Sequence, residues 1–104
     1  MLIGSDIDGV LSTGWRPSES EYVIVSGRTL DEWGRTIKEL GVEHPIFLRP
    51  YGVPCDRQAA GEWKSLIVSK MGITKFYEDD EVQASIIREN NPGCEVVIIG
   101  VGCV

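Results

Sequence analysis

The stretch SDIDGVLSTGW, residues 5–15, follows the short apolar run Leu2-Ile3 and sets Asp6 and Asp8 either side of one apolar residue, with Gly9 directly after. An apolar run that stops at two acids and a glycine reads as a strand, Leu2 to Asp6, whose chain turns sharply away at its end. The same grammar recurs downstream. Tyr22 to Ser26 (YVIVS), rich in β-branched residues, predicts a second strand that also ends in polar residues. From about Leu30 to Leu40, the spacing of Leu30, Trp33, Ile37 and Leu40 predicts a helix with one apolar face, opened by a Thr29/Glu32 capping box and stopped at Gly41.

Pro45 to Leu48 (PIFL) predicts a third strand, and Arg49 to Glu62, with Pro50, Gly52 and Pro54, a largely looped segment. A second helix from about Ala59 to Met71 places Trp63, Leu66, Ile67 and Met71 toward the core and ends at Gly72. KFYEDD from Lys75 is a fourth strand running into acids. A third helix covers about Glu81 to Asn90 and breaks at Pro92-Gly93, and EVVIIGV from Glu95 supplies a fifth, buried strand. Strands alternating with helices predict an α/β domain with a mostly parallel sheet, and 104 residues suit a single domain.

Bulk properties exclude several classes of function. A 42% hydrophobic and 25% charged composition is ordinary for a globular chain, and no run approaches the length that spans a bilayer. No basic stretch followed by a long apolar run opens the chain, so a cytoplasmic location is the expectation. Cys55, Cys94 and Cys103 form no CxxC pair and read as free thiols in packing or surface positions. A net charge of −6 opposes sequence-blind binding to nucleic acid, which needs Lys and Arg to neutralise phosphates.

In an open parallel sheet, binding residues gather beyond the carboxyl ends of the strands. Asp6 and Asp8 follow the first strand, Ser26-Gly27-Arg28 the second, and Glu78, Asp79 and Asp80 the fourth. Carboxylates crowded into one crevice repel, and a divalent cation resolves that conflict; hard oxygen ligands suit Mg²⁺, which commonly shares its site with a phosphate.

In this order of motifs the chain resembles the haloacid dehalogenase-like (HAD) phosphohydrolases. DIDGV resembles the first motif of that family, VSGR the second, Lys64 in GEWKSL the third, and the acids of YEDD the fourth. The resemblance spans Asp6 to Asp80 and implies a three-layer Rossmann-like fold with five strands in the order 5-4-1-2-3. It also implies a Mg²⁺-dependent phosphatase. Asp6 would attack phosphorus and form an aspartyl-phosphate, while Asp8 would protonate the leaving oxygen and later activate water, its pKa tuned by the crowded acids. Ser26, Gly27 and Arg28 would hold phosphate oxygens, and Lys64, or Lys70 on the same helix, would neutralise charge. Asp79, with Glu78 next and Asp80 as a cap or ligand, would complete the metal site with Asp6 and Asp8.

Each motif also has a plainer reading. Asp-x-Asp-Gly ends many strands, SGR is a common loop, and EDDE suits the first turn of a helix. A catalytically weak or inactive binding domain of the same fold, and a receiver-like phosphoacceptor domain, are the alternatives. His44 reads as a surface residue. The family's cap insertions have no room here, since only Gly9 to Glu21 separate Asp8 from the second strand. The site is therefore expected to be open, with Arg16, Arg28, Arg49, Arg57 and Lys64 forming a positive rim. An open site favours a phosphate on something large, such as a nucleic-acid end or a protein, or a nucleotide held by edge residues, handled by a monomer or weak homo-oligomer. Trp15 either stacks on a base or packs the flap onto the domain.

Overall fold

The computed structural model describes residues 1–100. Its centre is β1 (Leu2–Ser5), which pairs in parallel with β2 (Val23–Thr29) on one side and β4 (Ile73–Glu78) on the other. β3 (Ile46–Arg49) and β5 (Glu95–Ile98) close the edges, giving one five-stranded parallel sheet in the order β3-β2-β1-β4-β5, which is the expected order read from the other edge. Three helices, α1 (Trp33–Leu40), α2 (Arg57–Met71) and α3 (Glu81–Asn90), make the crossovers. α2 and α3 pack on each other, and with the sheet they enclose the core built on Val23, Val25, Trp63, Val68, Phe76, Ala84 and Ile87. A second core, with Ile3, Ile7, Val10, Leu11, Tyr22, Ile24 and Tyr77, includes the chain that follows β1. This alternation is the period-2 pleat at work: Phe76 joins one core and Tyr77 the other.

Local differences from the sequence expectation begin with β2, which continues past Ser26 to Thr29 through an irregularity in its pairing with β3 between Ser26 and Thr29, so that Ser26, Gly27 and Arg28 lie within the strand and not after it. Residues Leu30–Glu32 form a 3-10 turn ahead of α1, held by the expected capping box, with the Thr29 N–H donating to the Glu32 carboxylate at 2.9 Å. A 3-10 turn advances three residues per turn, not 3.6, so the Leu30/Trp33 pair rotates off the buried face and both are 48% exposed. α2 begins at Arg57, two residues before Ala59, because the Asp56 carboxylate caps it, accepting from the Ala59 N–H at 2.7 Å.

The buried face of α2 is also not the expected one. Ala60, Gly61, Trp63, Lys64, Ser65 and Val68 are buried, while Leu66 is 53% and Met71 40% exposed. Small residues let α3 come close: a Cβ on Gly61 would lie 2.9 Å from Ile86 Cδ1. Lys64 can occupy a core position because its charge is met there. β4 starts two residues before Lys75 and ends at Glu78, leaving Asp79 and Asp80 as the turn into α3. Of the proposed fifth strand, Val101 lies outside the described residues, as does Cys103; Cys94 is buried and Cys55 exposed.

Candidate functional site

Parallel pairing builds the site. Ser5 stands opposite Tyr77, and the Asp6 N–H donates to the Tyr77 carbonyl at 2.9 Å, so Asp6 emerges level with Glu78 at the carboxyl ends of neighbouring strands. One carboxylate oxygen from each of Asp6, Glu78 and Asp79 lies within 4.8 Å of the other two. From α2, the buried Lys64 ammonium reaches between them, 3.2 Å from Asp6 Oδ1 and 2.8 Å from Glu78 Oε1. Of the two lysines considered on α2, Lys64 is therefore the one at the strand ends; Lys70 is in the last, exposed turn. Gly9 turns the chain past Asp79 so closely that a Cβ there would sit 1.8 Å from Asp79 Oδ2.

A cavity of about 310 Å³ opens over this group, lined by Asp6, Asp8, Gly9, Gly27, Lys64, Asp79, Asp80 and Gln83. Glu78 lies beneath it, fully buried, with Oε1 accepting from Lys64 and Oε2 from the N–H groups of Asp79 and Asp80. Those bonds make Glu78 the support of the turn and of Lys64; of the two acids after it that line the cavity, Asp80 is paired with Arg57 and Asp79 stands beside Asp6.

Burial raises the pKa of Asp6 above the usual carboxylate range against the pull of Lys64. Burial, and then the neighbouring Asp6, pushes Glu78 up to about 7. Asp79 is raised by burial and by Glu78. Burial works against the Lys64 charge, but Asp6 and Glu78 outweigh it and its pKa rises. One ammonium thus serves three crowded carboxyl groups, and the cluster holds more negative charge than its own cation can stabilise.

The second acid of the first motif stands apart. Asp8 is held bidentately by Arg28, with Nε donating to Oδ2 at 3.0 Å and an Nη to Oδ1 at 2.8 Å. This hydrogen bonding holds the Asp8 carboxyl below its ordinary range, opposite to the tuning expected from crowded acids. Arg28 is itself buried and donates to Thr36 Oγ1 at 3.2 Å and Glu39 Oε2 at 3.1 Å. Ser26 is buried, its hydroxyl accepting from the Arg28 N–H at 3.0 Å, and does not line the cavity; Gly27 does.

The expected positive rim is not present. Arg49 is buried and donates to the carbonyls of Gly27, at 2.8 Å, and Val53. Arg16 donates to the carbonyls of Leu11 and Trp15, both at 2.8 Å, and Arg57 pairs with Asp80, whose pKa that contact lowers to about 2. Trp15 packs edge-on against Tyr77 with ring centroids 4.8 Å apart, which is the flap-packing reading rather than the base-stacking one. Glu19 ties the same flap to β4 by accepting from the Tyr77 hydroxyl at 2.8 Å and Lys75 at 3.3 Å. An arginine beside a strand end looks like a phosphate ligand in sequence; whether a carboxylate or carbonyl claims it first depends on tertiary contacts.

Gln83 was not singled out by the sequence. Its side-chain oxygen is buried with no hydrogen-bond partner among the described residues, and the residue lines the cavity one helical turn after Asp79. The available signal was the spacing Asp80-x-x-Gln83, a capping-box pattern at the start of α3. His44 is far from this site, half-buried and stacked on Tyr22 at 3.9 Å. A scan against protein-family models found no match, and searches of curated proteins and of solved structures found none either.

Proposed function

We propose that the chain is a Mg²⁺-dependent phosphomonoesterase that works through an aspartyl-phosphate on Asp6, as its resemblance to the HAD phosphohydrolases implies. The observation that carries this reading is the meeting of Asp6, Asp79 and Lys64 at one cavity, with Glu78 behind them. The donor set fits the metal: hard carboxylate oxygens whose pKa values are raised, that of Asp6 by burial and that of Asp79 by burial and the neighbouring Glu78, with Asp6 and Asp79 turned to the open side. Those two residues would hold the ion, whose charge would neutralise the incoming phosphoryl oxygens.

The remaining roles belong to the chain. Lys64 opposes the effect of burial on Asp6, favouring the ionised carboxylate, and aims it, so that one of its oxygens attacks phosphorus and forms a new P–O bond as the ester P–O bond breaks. Gly27, at the cavity wall, offers backbone contacts to phosphate oxygens. Asp8 in its Arg28-bound form is ionised, the form that takes a proton from the water that hydrolyses the aspartyl-phosphate. Protonating a leaving oxygen calls for the Arg28 contact to open first.

A second reading, a phosphate-binding domain with little turnover, draws on that same Asp8–Arg28 lock. An activity measurement with an aryl phosphate and Mg²⁺ separates them. The parent turns over and Asp6→Asn loses at least roughly a thousandfold, as removal of a nucleophile does. Equal activity in parent and Asp6→Asn defeats the covalent mechanism.

A further inference from the structure

Where β2 pairs irregularly with β3, between Ser26 and Thr29, the Arg28 N–H donates to Ser26 Oγ at 3.0 Å and the Arg28 side chain runs inward, only 5% exposed. All three of its guanidinium nitrogens donate. Nε and Nη2 take the two oxygens of Asp8, Nη1 takes Thr36 Oγ1 at 3.2 Å, and Nη2 also takes Glu39 Oε2 at 3.1 Å. Thr36 and Glu39 both belong to α1, and Thr36 is fully buried. The guanidinium plane is therefore fixed from behind by α1, whatever Asp8 does.

Asp8 is in the opposite position. Its side chain is 65% exposed at the cavity wall, and among the described residues the hydrogen bonds to its carboxylate come from Arg28. An exposed aspartate without a partner samples several rotamers, whereas the two parallel bonds of an arginine fork leave it one orientation. Arg28 does not depend on Asp8 for its counter-charge, because Glu39 supplies a carboxylate on the same side chain. What the pair adds is the fixed place of Asp8.

We infer that Arg28 is a positioning residue for Asp8, and that α1, through Thr36 and Glu39, thereby governs the hydrolysis of the aspartyl-phosphate. This rests on the phosphatase reading above. In that step a water oxygen bonds to phosphorus, the bond from phosphorus to the Asp6 oxygen breaks, and Asp8 takes the proton of the water, leaving inorganic phosphate and the Asp6 carboxylate. Formation of the aspartyl-phosphate from an aryl phosphate makes no such demand, since a phenolate leaves without a proton. A misplaced Asp8 therefore slows the second step and spares the first.

The test uses an aryl phosphate labelled in its phosphoryl group, with Mg²⁺. Rapid quench gives the rate of phenol release in the first turnover, and a chase with unlabelled substrate gives the decay of the labelled phosphoenzyme. Arg28→Lys keeps the charge and loses the fork. It should leave first-turnover release within about threefold of the parent and slow the decay by about tenfold to a hundredfold, so that phosphoenzyme accumulates as in Asp8→Asn. Adding Arg28→Lys to Asp8→Asn should slow the decay no further, because the arginine acts only through Asp8. The double variant Thr36→Val/Glu39→Gln, which frees Arg28 from α1, should slow the decay in the same selective way, and it decides the matter if Arg28→Lys does not fold. If both steps slow by the same factor, or the decay is unchanged, Arg28 does not position Asp8 and the phosphatase reading stands. No turnover by the parent overturns the phosphatase reading and the positioning role with it.

Discussion

A Cβ on Gly9 would overlap Asp79, and the residue's φ of +80° belongs to the left-handed region that side chains disfavour. Gly9→Ala should therefore lose about 1–2 kcal/mol of stability from the backbone alone and push Asp79 away from Asp6. Calorimetry and a Mg²⁺ thermal-shift titration check both; an unchanged Mg²⁺ response means that Asp79 is not a ligand. Glu78 makes a pH prediction. Its folded pKa of about 7 is above the ordinary glutamate value of 4.5, so the folded state binds the extra proton and stability falls as pH rises from about 4.5 to about 7. Asp6 and Asp79, also raised, act in the same direction. Without metal, the melting temperature should decline across that window, and Glu78→Gln should flatten the decline. A flat profile in the parent would show that the cluster is not strained by its own charge.

At the scale of elements, α2 and the flap carry the testable consequences. Asp56→Ala removes the cap of α2 and should cost about 1 kcal/mol, read by denaturant unfolding. Trp15→Ala removes the contact with Tyr77 and should lower stability by roughly 0.5–3 kcal/mol while leaving the order of preference among substrates unchanged. A changed substrate order would return Trp15 to the binding surface. Apolar periodicity located each helix, because a helix on a sheet needs an apolar stripe. It misplaced the stripe of α2, since Ala, Gly and Ser buried against α3 carry no hydrophobic signal and a buried lysine looks like a surface one. The 3-10 turn before α1 escaped for a similar reason: capping residues mark where a helix begins, not the pitch of its first turn.

For the whole molecule, Mg²⁺ that binds the folded state alone should raise the melting temperature, by about 2.7 kcal/mol of stability at one hundred times its Kd, and Asp6→Asn should abolish the rise. A parent that does not respond to Mg²⁺ removes the metal from the mechanism. Among the described residues no helix is long and apolar enough to cross a membrane, which agrees with the interrupted apolar runs of the sequence. The sequence by itself determined the alternation of strands and helices, the parallel α/β class, and the gathering of Asp6, Asp8, Gly27 and Asp79 at strand ends. All of these follow from local periodicity and from where polar residues interrupt it. Tertiary structure alone decided which charges are free. Asp8 and Arg28, 20 residues apart, meet in a bidentate pair, as do Arg57 and Asp80 across α2 and α3, and Lys64 sinks between Asp6 and Glu78. A strand signal depends on neighbours one and two residues away, whereas an ion pair depends on partners that only the folded sheet brings within 3 to 4 Å, so the expected positive rim could be lost without any change in local pattern.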